Sequence, residues 1–241
     1  METKTCFASI DVEQDLGGKG FQGVENLEKI LDIFRRCEIP ATLFVTGEVL
    51  ERYQEKVRAW SKDYEIASHS FTHRFWNTLN DTERQKELSD FIDLYQQIFQ
   101  RKPLGFRAPS HVIDERGIEL LRRQGFLYDS SILPHYPPFK KYRGYQGKKP
   151  KNVYFIGGLQ ESPVTGQILG IPVAGAWIAG LPVWFYQFLF LIHRPSFITL
   201  NMHSWDILKP GFAKKLEKII QTLKKKNYLF LNGEQILKNR Q

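Results

Sequence analysis

The sequence predicts an α/β fold in which parallel strands form a (β/α) barrel. Short runs rich in β-branched or aromatic residues alternate with longer amphipathic segments, the pattern typical of parallel α/β sheets and barrels. About seven such runs, with helices between most of them, favour a barrel over an open doubly wound sheet. With 241 residues, of which 42% are hydrophobic, the chain can bury one sizeable core, so we predict a single domain over residues 1–241.

The first half of the chain is expected to hold four strands and three helices. A helix over residues 24–37 has apolar residues at helical spacing and ends before Pro40, where a backbone hydrogen bond would be lost. Asn80, Asp81 and Thr82 supply caps for a long helix that runs towards Arg101. A further helix is expected over residues 48–60, and the strands over residues 5–11, 41–47, 65–71 and 105–110.

In the second half, a helix over residues 114–124 is expected to end at Gly125. Residues 134–150 are rich in Pro, Tyr, Gly and Lys and are predicted to form a long loop rather than a linker, because strand-like runs resume after them. A basic amphipathic helix is expected over residues 210–226. The predicted strands are residues 127–133, two short runs within 153–171, then 197–204 and 228–232.

The formal net charge is +8, and much of the excess lies in two stretches, residues 140–151 and residues 214–226. Such stretches attract polyanions or anionic membrane surfaces, although they can equally be a solvated face. No recognisable nucleic-acid-reading module accompanies them, so we expect no nucleic-acid partner.

The sequence contains no signal segment or transmembrane run, which predicts a cytoplasmic protein that begins at Met1. Cys6 and Cys37 lie in apolar segments and are expected to be buried free thiols.

Polar residues follow several predicted strands at their carboxyl ends, where barrel enzymes place their reacting groups. They are Asp11 and Glu13, His69 and His73, Arg107, and His203. The H-x-x-x-H spacing of His69 and His73 can bring two imidazoles to one side of a turn, as a metal site requires. The spacing alone is weak evidence, but an acidic oxygen from a neighbouring strand would complete a ligand set with open positions for water and substrate.

The segments SIDVE, HSFTH, FRAPS, DSSIL and LNMHSW, in this order, resemble the motifs of the polysaccharide deacetylase (NodB-homology) family, and the resemblance extends over nearly the whole chain. It implies a distorted (β/α) barrel, a divalent metal that is usually zinc, and hydrolysis of acyl groups on amino sugars. By this resemblance, Asp11 is the catalytic base, His69 and His73 bind the metal, Arg107 orients the base, and His203 is the general acid.

The first and fourth motifs depart from the common pattern. Val12 separates Asp11 from the next acid, as in a D-V-E subgroup of the family, so Glu13 is expected to bind the metal, with Asp15 as the alternative. The group that polarises His203 is left open between Asp129 and Asp206. Ser110, through its backbone N–H, and Trp205 are expected to contact the substrate.

Each of these residues also has a structural interpretation. Asp11 could be a cap, Arg107 a salt-bridge partner and His203 a hydrogen-bonded core histidine. The other histidines, His111, His135 and His193, match no motif, and we expect no catalytic role for them.

Residues 181–192 (LPVWFYQFLFLI) are unusually apolar but too short to span a bilayer. They are expected to form either a buried barrel helix or an interfacial patch, exposing Trp184, Phe185 and Phe188, that reaches a lipid-linked sugar at a membrane.

The sequence thus predicts a zinc-dependent amino-sugar deacetylase that acts on a carbohydrate or glycolipid. Two alternatives are a deformylase or cyclic-amide hydrolase with the same site, and a carbohydrate-binding protein with a degenerate site.

Overall fold

The computed structural model describes residues 4–18, 20–134, 140–142, 144–165 and 171–239. Strands alternate with helices along most of this chain, which confirms the predicted α/β class. The strands are β1 (Lys4–Val12), β2 (Thr42–Val45), β3 (Glu65–Ser68), β4 (Gly105–Phe106), β5 (Tyr128–Asp129), β6 (Tyr154–Ile156), β7 (Leu159–Glu161), β8 (Phe197–His203) and β9 (Tyr228–Leu231).

The helices follow the predicted order. They are α1 (Gln22–Glu25), α2 (Glu28–Arg36), α3 (Gly47–Arg52), α4 (Gln54–Trp60), α5 (Asp81–Phe99), α6 (Glu115–Gln124), α7 (Gly175–Gly180), α8 (Val183–Ile192), α9 (Phe212–Lys225) and α10 (Gly233–Lys238). Short 3₁₀ turns cover Trp76–Thr78, Pro109–His111, Lys140–Tyr142 and Ser204–Leu208. No helix among the described residues is long and apolar enough to cross a membrane.

The chain divides into two compact units. The first comprises Met1–Ala41 and Thr165–Asn232, and the second comprises Thr42–Val164 and Gly233–Gln241. In the first unit, β1 pairs in parallel with both β8 and β9. Its core is built around β1, where Cys6, Phe7, Ala8 and Ile10 are fully buried. The β1–β8 register places Asp11 opposite His203, so these two strands end together.

In the second unit, parallel pairs join β2, β3, β4, β5 and β7 in that order. Trp76 and Phe106 lie in a buried hydrophobic cluster beneath α5 and α6, with ring centroids 4.8 Å apart. Asn80 begins α5 with a capping box, as its position before an amphipathic run predicted. Gly125 ends α6 with a φ of 88°, as expected.

Several predicted elements differ in detail. The helix expected over residues 24–37 is divided between α1 and α2, and the helix over 48–60 is divided at Tyr53. One strand departs from the parallel arrangement, because β6 runs antiparallel to β7 as a short hairpin. The expected strand over residues 127–133 keeps only two residues, since Ser131 turns its hydroxyl onto Asp129.

The chemistry of the two cysteines agrees with the prediction of free thiols. Cys6 is buried, Cys37 is half-buried, and both are free. His135 and Arg143, which belonged to the predicted loop, lie outside the described residues.

Candidate active site

The first unit brings together Asp11, Glu13 and His203 at the carboxyl ends of β1 and β8. His203 Nε2 lies 3.9 Å from Asp11 Oδ2 and 4.0 Å from Glu13 Oε1. Both carboxylates are buried, whereas His203 keeps part of its side chain exposed. Because parallel strands in register deliver their last residues to one edge, the β1–β8 pairing explains why Asp11 and His203, 192 positions apart along the chain, meet here.

The opposite side of the His203 ring faces Asp206, which is fully buried. His203 Nδ1 lies 3.5 Å from Asp206 Oδ2, and that same oxygen accepts a hydrogen bond of 2.9 Å from the His203 backbone N–H. Partial burial opposes protonation of the imidazole, but the neighbouring carboxylates, led by Asp206, outweigh it and raise the pKa of His203. An imidazole with a raised pKa is suited to carry the proton that a general acid must deliver.

The Asp206 carboxylate has a partner at each oxygen, His203 at Oδ2 and Lys209 at Oδ1. Its Oδ1 accepts a hydrogen bond of 2.5 Å from Lys209 Nζ. Burial would raise the pKa of Asp206, yet its bonds to His203 and Lys209 lower it below the usual value. Of the two partners left open for His203, Asp206 is therefore the one that lies beside the ring. Asp129 instead accepts a 2.6 Å bond from the Ser131 hydroxyl.

Trp205 stacks on His203, with ring centroids 4.2 Å apart and planes only 10° from parallel. The Trp205 backbone in turn packs against Gly23 so closely that a Cβ there would lie 2.5 Å from its nitrogen. The predicted substrate-contacting tryptophan thus also limits the rotation of His203.

Asp15, the alternative metal carboxylate, has a structural role in the first unit. Its two carboxylate oxygens accept hydrogen bonds from the backbone N–H groups of Gln22 and Gly23, at 2.7 Å and 2.8 Å. These bonds hold the turn before α1. Glu13 therefore stays the stronger candidate for a metal ligand.

The second unit brings His69 and His73 together after β3, with ring centroids 5.0 Å apart. His69 Nδ1 lies 2.8 Å from the carbonyl oxygen of Arg107. Since a carbonyl can only accept, Nδ1 carries the proton, and Nε2 is left with the lone pair that a metal needs. His69 therefore has the tautomer expected of a metal ligand, and the ring of His73 lies beside it.

The turn between these histidines is held by Glu87 of α5, a residue that the sequence analysis did not identify. Glu87 Oε2 accepts hydrogen bonds of 2.9 Å, 2.9 Å and 2.8 Å from the Ser70 hydroxyl and the backbone N–H groups of Phe71 and Thr72. Ser70 and His73 have φ values of 65° and 58°, a region that non-glycine residues seldom adopt. Glu87 stabilises this unfavourable backbone. The available signal was a carboxylate on the apolar face of a predicted helix.

Arg107 is fully buried in the second unit, although its charge is costly to bury. Its Nε and Nη2 donate to the backbone oxygen and hydroxyl of Ser130 at 2.9 Å and 2.8 Å. The guanidinium also lies 4.0 Å from the centre of the Phe44 ring. These contacts fix the position of the side chain firmly.

Two buried acids lie near Arg107, and only one of them was anticipated. Burial raises the pKa of Asp129, and burial together with the neighbouring Asp129 raises the pKa of Glu161 well above its usual value. Ionisation of one of these acids therefore disfavours ionisation of the other. Glu161 follows no motif and could not be identified from sequence.

Two further residues named in the sequence analysis are Ser110, a predicted substrate contact, and His193, for which no role was expected. Ser110 lies in the 3₁₀ turn after β4 with a φ of 54°, half-buried. His193 is exposed at the end of α8.

Comparison with known proteins relates part of this chain to a protein family. The sequence model of polysaccharide deacetylases matches residues 15–128, a range that includes His69, His73 and Arg107. A peptidoglycan deacetylase-like protein of Gibberella zeae is 37% identical over 117 residues, which is 48% of this chain and 34% of that protein. The chain thus spans about a third of this relative.

Two solved structures share the fold. A proposed polysaccharide deacetylase from Mycobacterium smegmatis has a TM-score of 0.74 at 20% identity, covering 98% of this chain and 90% of its own. A CE4 family pseudoenzyme from Bacillus anthracis has a TM-score of 0.64 at 16% identity, covering 98% of this chain and 66% of its own. The distorted (β/α) barrel class predicted from the sequence is confirmed by this likeness. The family match over residues 15–128, the relative and the shared fold together support the polysaccharide deacetylase family for this chain.

Proposed function

We propose that this protein is a metal-dependent hydrolase that removes an N-acetyl or related acyl group from an amino sugar in a polysaccharide or glycolipid. The observation that carries the proposal is the cluster of two buried carboxylates, Asp11 and Glu13, about 4 Å from the Nε2 atom of His203. A carboxylate and an imidazole at the ends of adjacent strands supply a general base and a general acid. The proposed reaction is that of the polysaccharide deacetylases, whose family model matches residues 15–128.

The proposed ligands are Glu13, His69 and His73, residue types that can hold a divalent ion. Their chemistry fits zinc, since two imidazoles and one carboxylate are a common catalytic set. The tautomer of His69 fits as well, because the Arg107 carbonyl leaves its Nε2 available. A bound zinc ion would polarise the amide carbonyl and lower the pKa of a water towards ~7.

The protein's own groups would perform the proton transfers. Asp11 accepts the proton of the attacking water, and His203, protonated, donates to the leaving amine. The backbone N–H of Ser110 is the proposed donor to the oxyanion, a contribution typically worth roughly 2.7–4 kcal/mol. Arg107 is assigned to orienting the base, as in the family pattern.

The test couples metal analysis to release of acetate from N-acetylated glycan oligomers. Asp11→Asn is expected to retain the metal and lose turnover by about 100-fold or more. His69→Ala is the matched control and should lose both metal and turnover. Full activity in Asp11→Asn would show that another residue is the base. Release of formate instead of acetate would favour the deformylase alternative.

A second candidate function is a carbohydrate-binding protein without turnover. The similarity in fold to a CE4 family pseudoenzyme supports this non-catalytic alternative. It predicts glycan binding that survives Asp11→Asn and His69→Ala, with no acyl group released by the unaltered protein.

A further inference from the structure

Helix α8 exposes an apolar stripe to solvent in the first unit. Trp184, Phe188, Leu191 and Ile192 are 66%, 51%, 60% and 55% exposed. Their spacing of four, seven and eight residues from Trp184 places them on one helical face. The other face packs inward through Tyr186, Leu189 and Phe190, which are buried. The prediction of a buried helix is therefore correct for only one side of α8.

A row of lysines lies beside this stripe. A groove of about 950 Å³ runs between α8 and α9, with Trp184 and Leu191 on one wall. The other wall carries Lys214, Lys215, Lys218, Lys225 and Lys226. Within the described part of the chain, no acidic side chain forms an ion pair with Lys214, Lys218 or Lys225. Only Lys215 is engaged, donating 2.6 Å to the Ala179 carbonyl.

Large apolar side chains seldom remain so exposed without a binding partner. The positive charge of the adjacent lysines indicates that this partner is anionic. A second copy of the chain on a two-fold axis would bring the lysine row against itself, which repulsion disfavours. A polyanion in water would satisfy the lysines and leave the tryptophan and leucine exposed. An anionic bilayer satisfies both the apolar stripe and the lysines. Its acyl chains bury the apolar side chains, and its headgroup phosphates pair with the ammonium groups.

We propose that α8 and α9 together form a membrane-docking surface that binds anionic phospholipid bilayers. Trp184, Phe188 and Leu191 enter the interface between headgroups and acyl chains. Lys214, Lys218 and Lys225 contact the phosphates. The surface binds without substrate and without the reactions assigned to Asp11 and His203, so its failure and the failure of the proposed function are separate results.

The test is co-sedimentation of the full chain with vesicles of phosphatidylcholine alone and vesicles of equal parts phosphatidylcholine and phosphatidylglycerol. We expect binding to the anionic vesicles only, weakening as salt is raised. Two triple variants probe the two parts of the surface: Trp184→Ser with Phe188→Ser and Leu191→Ser, and Lys214→Gln with Lys218→Gln and Lys225→Gln. Each is expected to lower the partition coefficient by about tenfold or more.

Matched controls change the same chemistry elsewhere. Leu16→Ser with Leu127→Ser and Phe155→Ser removes apolar side chains that are 78%, 44% and 58% exposed. Lys56→Gln with Arg58→Gln and Lys62→Gln removes the same charge from exposed positions of α4 and the turn after it. Both controls should bind as the unaltered protein does.

Three results would overturn the proposal. One is equal binding by a docking-surface variant and its control. The second is equal binding to neutral and anionic vesicles. The third is a dimer in light scattering that the α8 variant alone dissociates, which would assign the stripe to self-association. Circular dichroism checks the fold of each variant, and the lysine variant decides the matter if the apolar one unfolds.

Discussion

The carboxylate of Asp206 occupies the space that a side chain at position 175 would need. A Cβ on Gly175 would lie 1.7 Å from Asp206 Oδ2, the oxygen that faces His203. Gly175→Ala must therefore move the carboxylate away from the imidazole. We expect kcat to fall by about tenfold with little change in KM, because the proton donor loses its orientation.

Gly180→Ala, at the other end of α7, is the control for that substitution. A Cβ at Gly180 meets no atom within 4 Å. Kinetics of this variant should match those of the unaltered protein. If Gly175→Ala is as active as the unaltered protein, the close contact between position 175 and the Asp206 carboxylate does not affect catalysis.

Asp206 can also be tested directly with Asp206→Asn, which keeps the shape and removes the charge. The pKa of His203 is raised partly by this carboxylate, so its protonated form should be less populated in the variant. We expect kcat to fall by about tenfold while zinc content, measured by plasma emission, is unchanged. Lys209→Met, which removes the cation on the far oxygen, should have a much smaller effect.

Glu87, which holds the turn between His69 and His73, should make the free energy of unfolding depend on pH in the acid range. Burial raises its pKa, but hydrogen bonds from Thr72, Ser70 and Phe71 outweigh burial and lower it. A lowered folded-state pKa contributes stability above the unfolded value of about 4.3, and this stability is lost as pH falls through the folded-state pKa. Glu87→Gln should lose about 1–2 kcal/mol at neutral pH and show a weaker pH dependence of urea unfolding below pH ~4.3.

The same variant should bind zinc more weakly, because the turn that carries His73 loses its anchor. Glu51→Gln changes an exposed carboxylate on α3 and serves as its control. Unaltered zinc affinity in Glu87→Gln would restrict Glu87 to a role in stability.

Asn80 tests a feature that is local in sequence. Its side chain accepts a 2.9 Å hydrogen bond from the Glu83 backbone N–H, and Glu83 returns one of 2.9 Å to the Asn80 backbone. Asn80→Ala should destabilise the protein by about 1 kcal/mol in urea unfolding. Asn80→Asp keeps an acceptor and should restore most of the loss, with deacetylation unaffected in both.

Most local features were predictable from sequence, whereas distant partnerships were predictable only where both residues lie at the ends of strands. The cap at Asn80 and the stop at Gly125 depend on neighbouring residues, and both are confirmed. Asp11 and His203 could be anticipated together because each ends an apolar strand, and parallel strands deliver their ends to one edge. The division of the helix at Tyr53 has no comparable local signal. The β6–β7 hairpin has one, the Gly157–Gly158 pair between its strands, which the sequence analysis did not use.

Glu87 was missed for a different reason. Its partners lie 15 to 17 residues earlier, in a turn whose positive-φ backbone cannot be read from the sequence. Asp206, by contrast, is three residues from His203 and was one of two candidates. Sequence alone could not choose between them, because Asp129 lies at the end of one strand, Asp206 lies just after another, and only the fold decides which one meets the ring.

The bond between His69 Nδ1 and residue 107 is made by a main-chain oxygen, not by the guanidinium. The orientation of the His69 imidazole therefore does not depend on which side chain stands at position 107. Replacing the arginine side chain would remove its bonds to Ser130 and leave in place the main-chain acceptor that fixes the His69 tautomer.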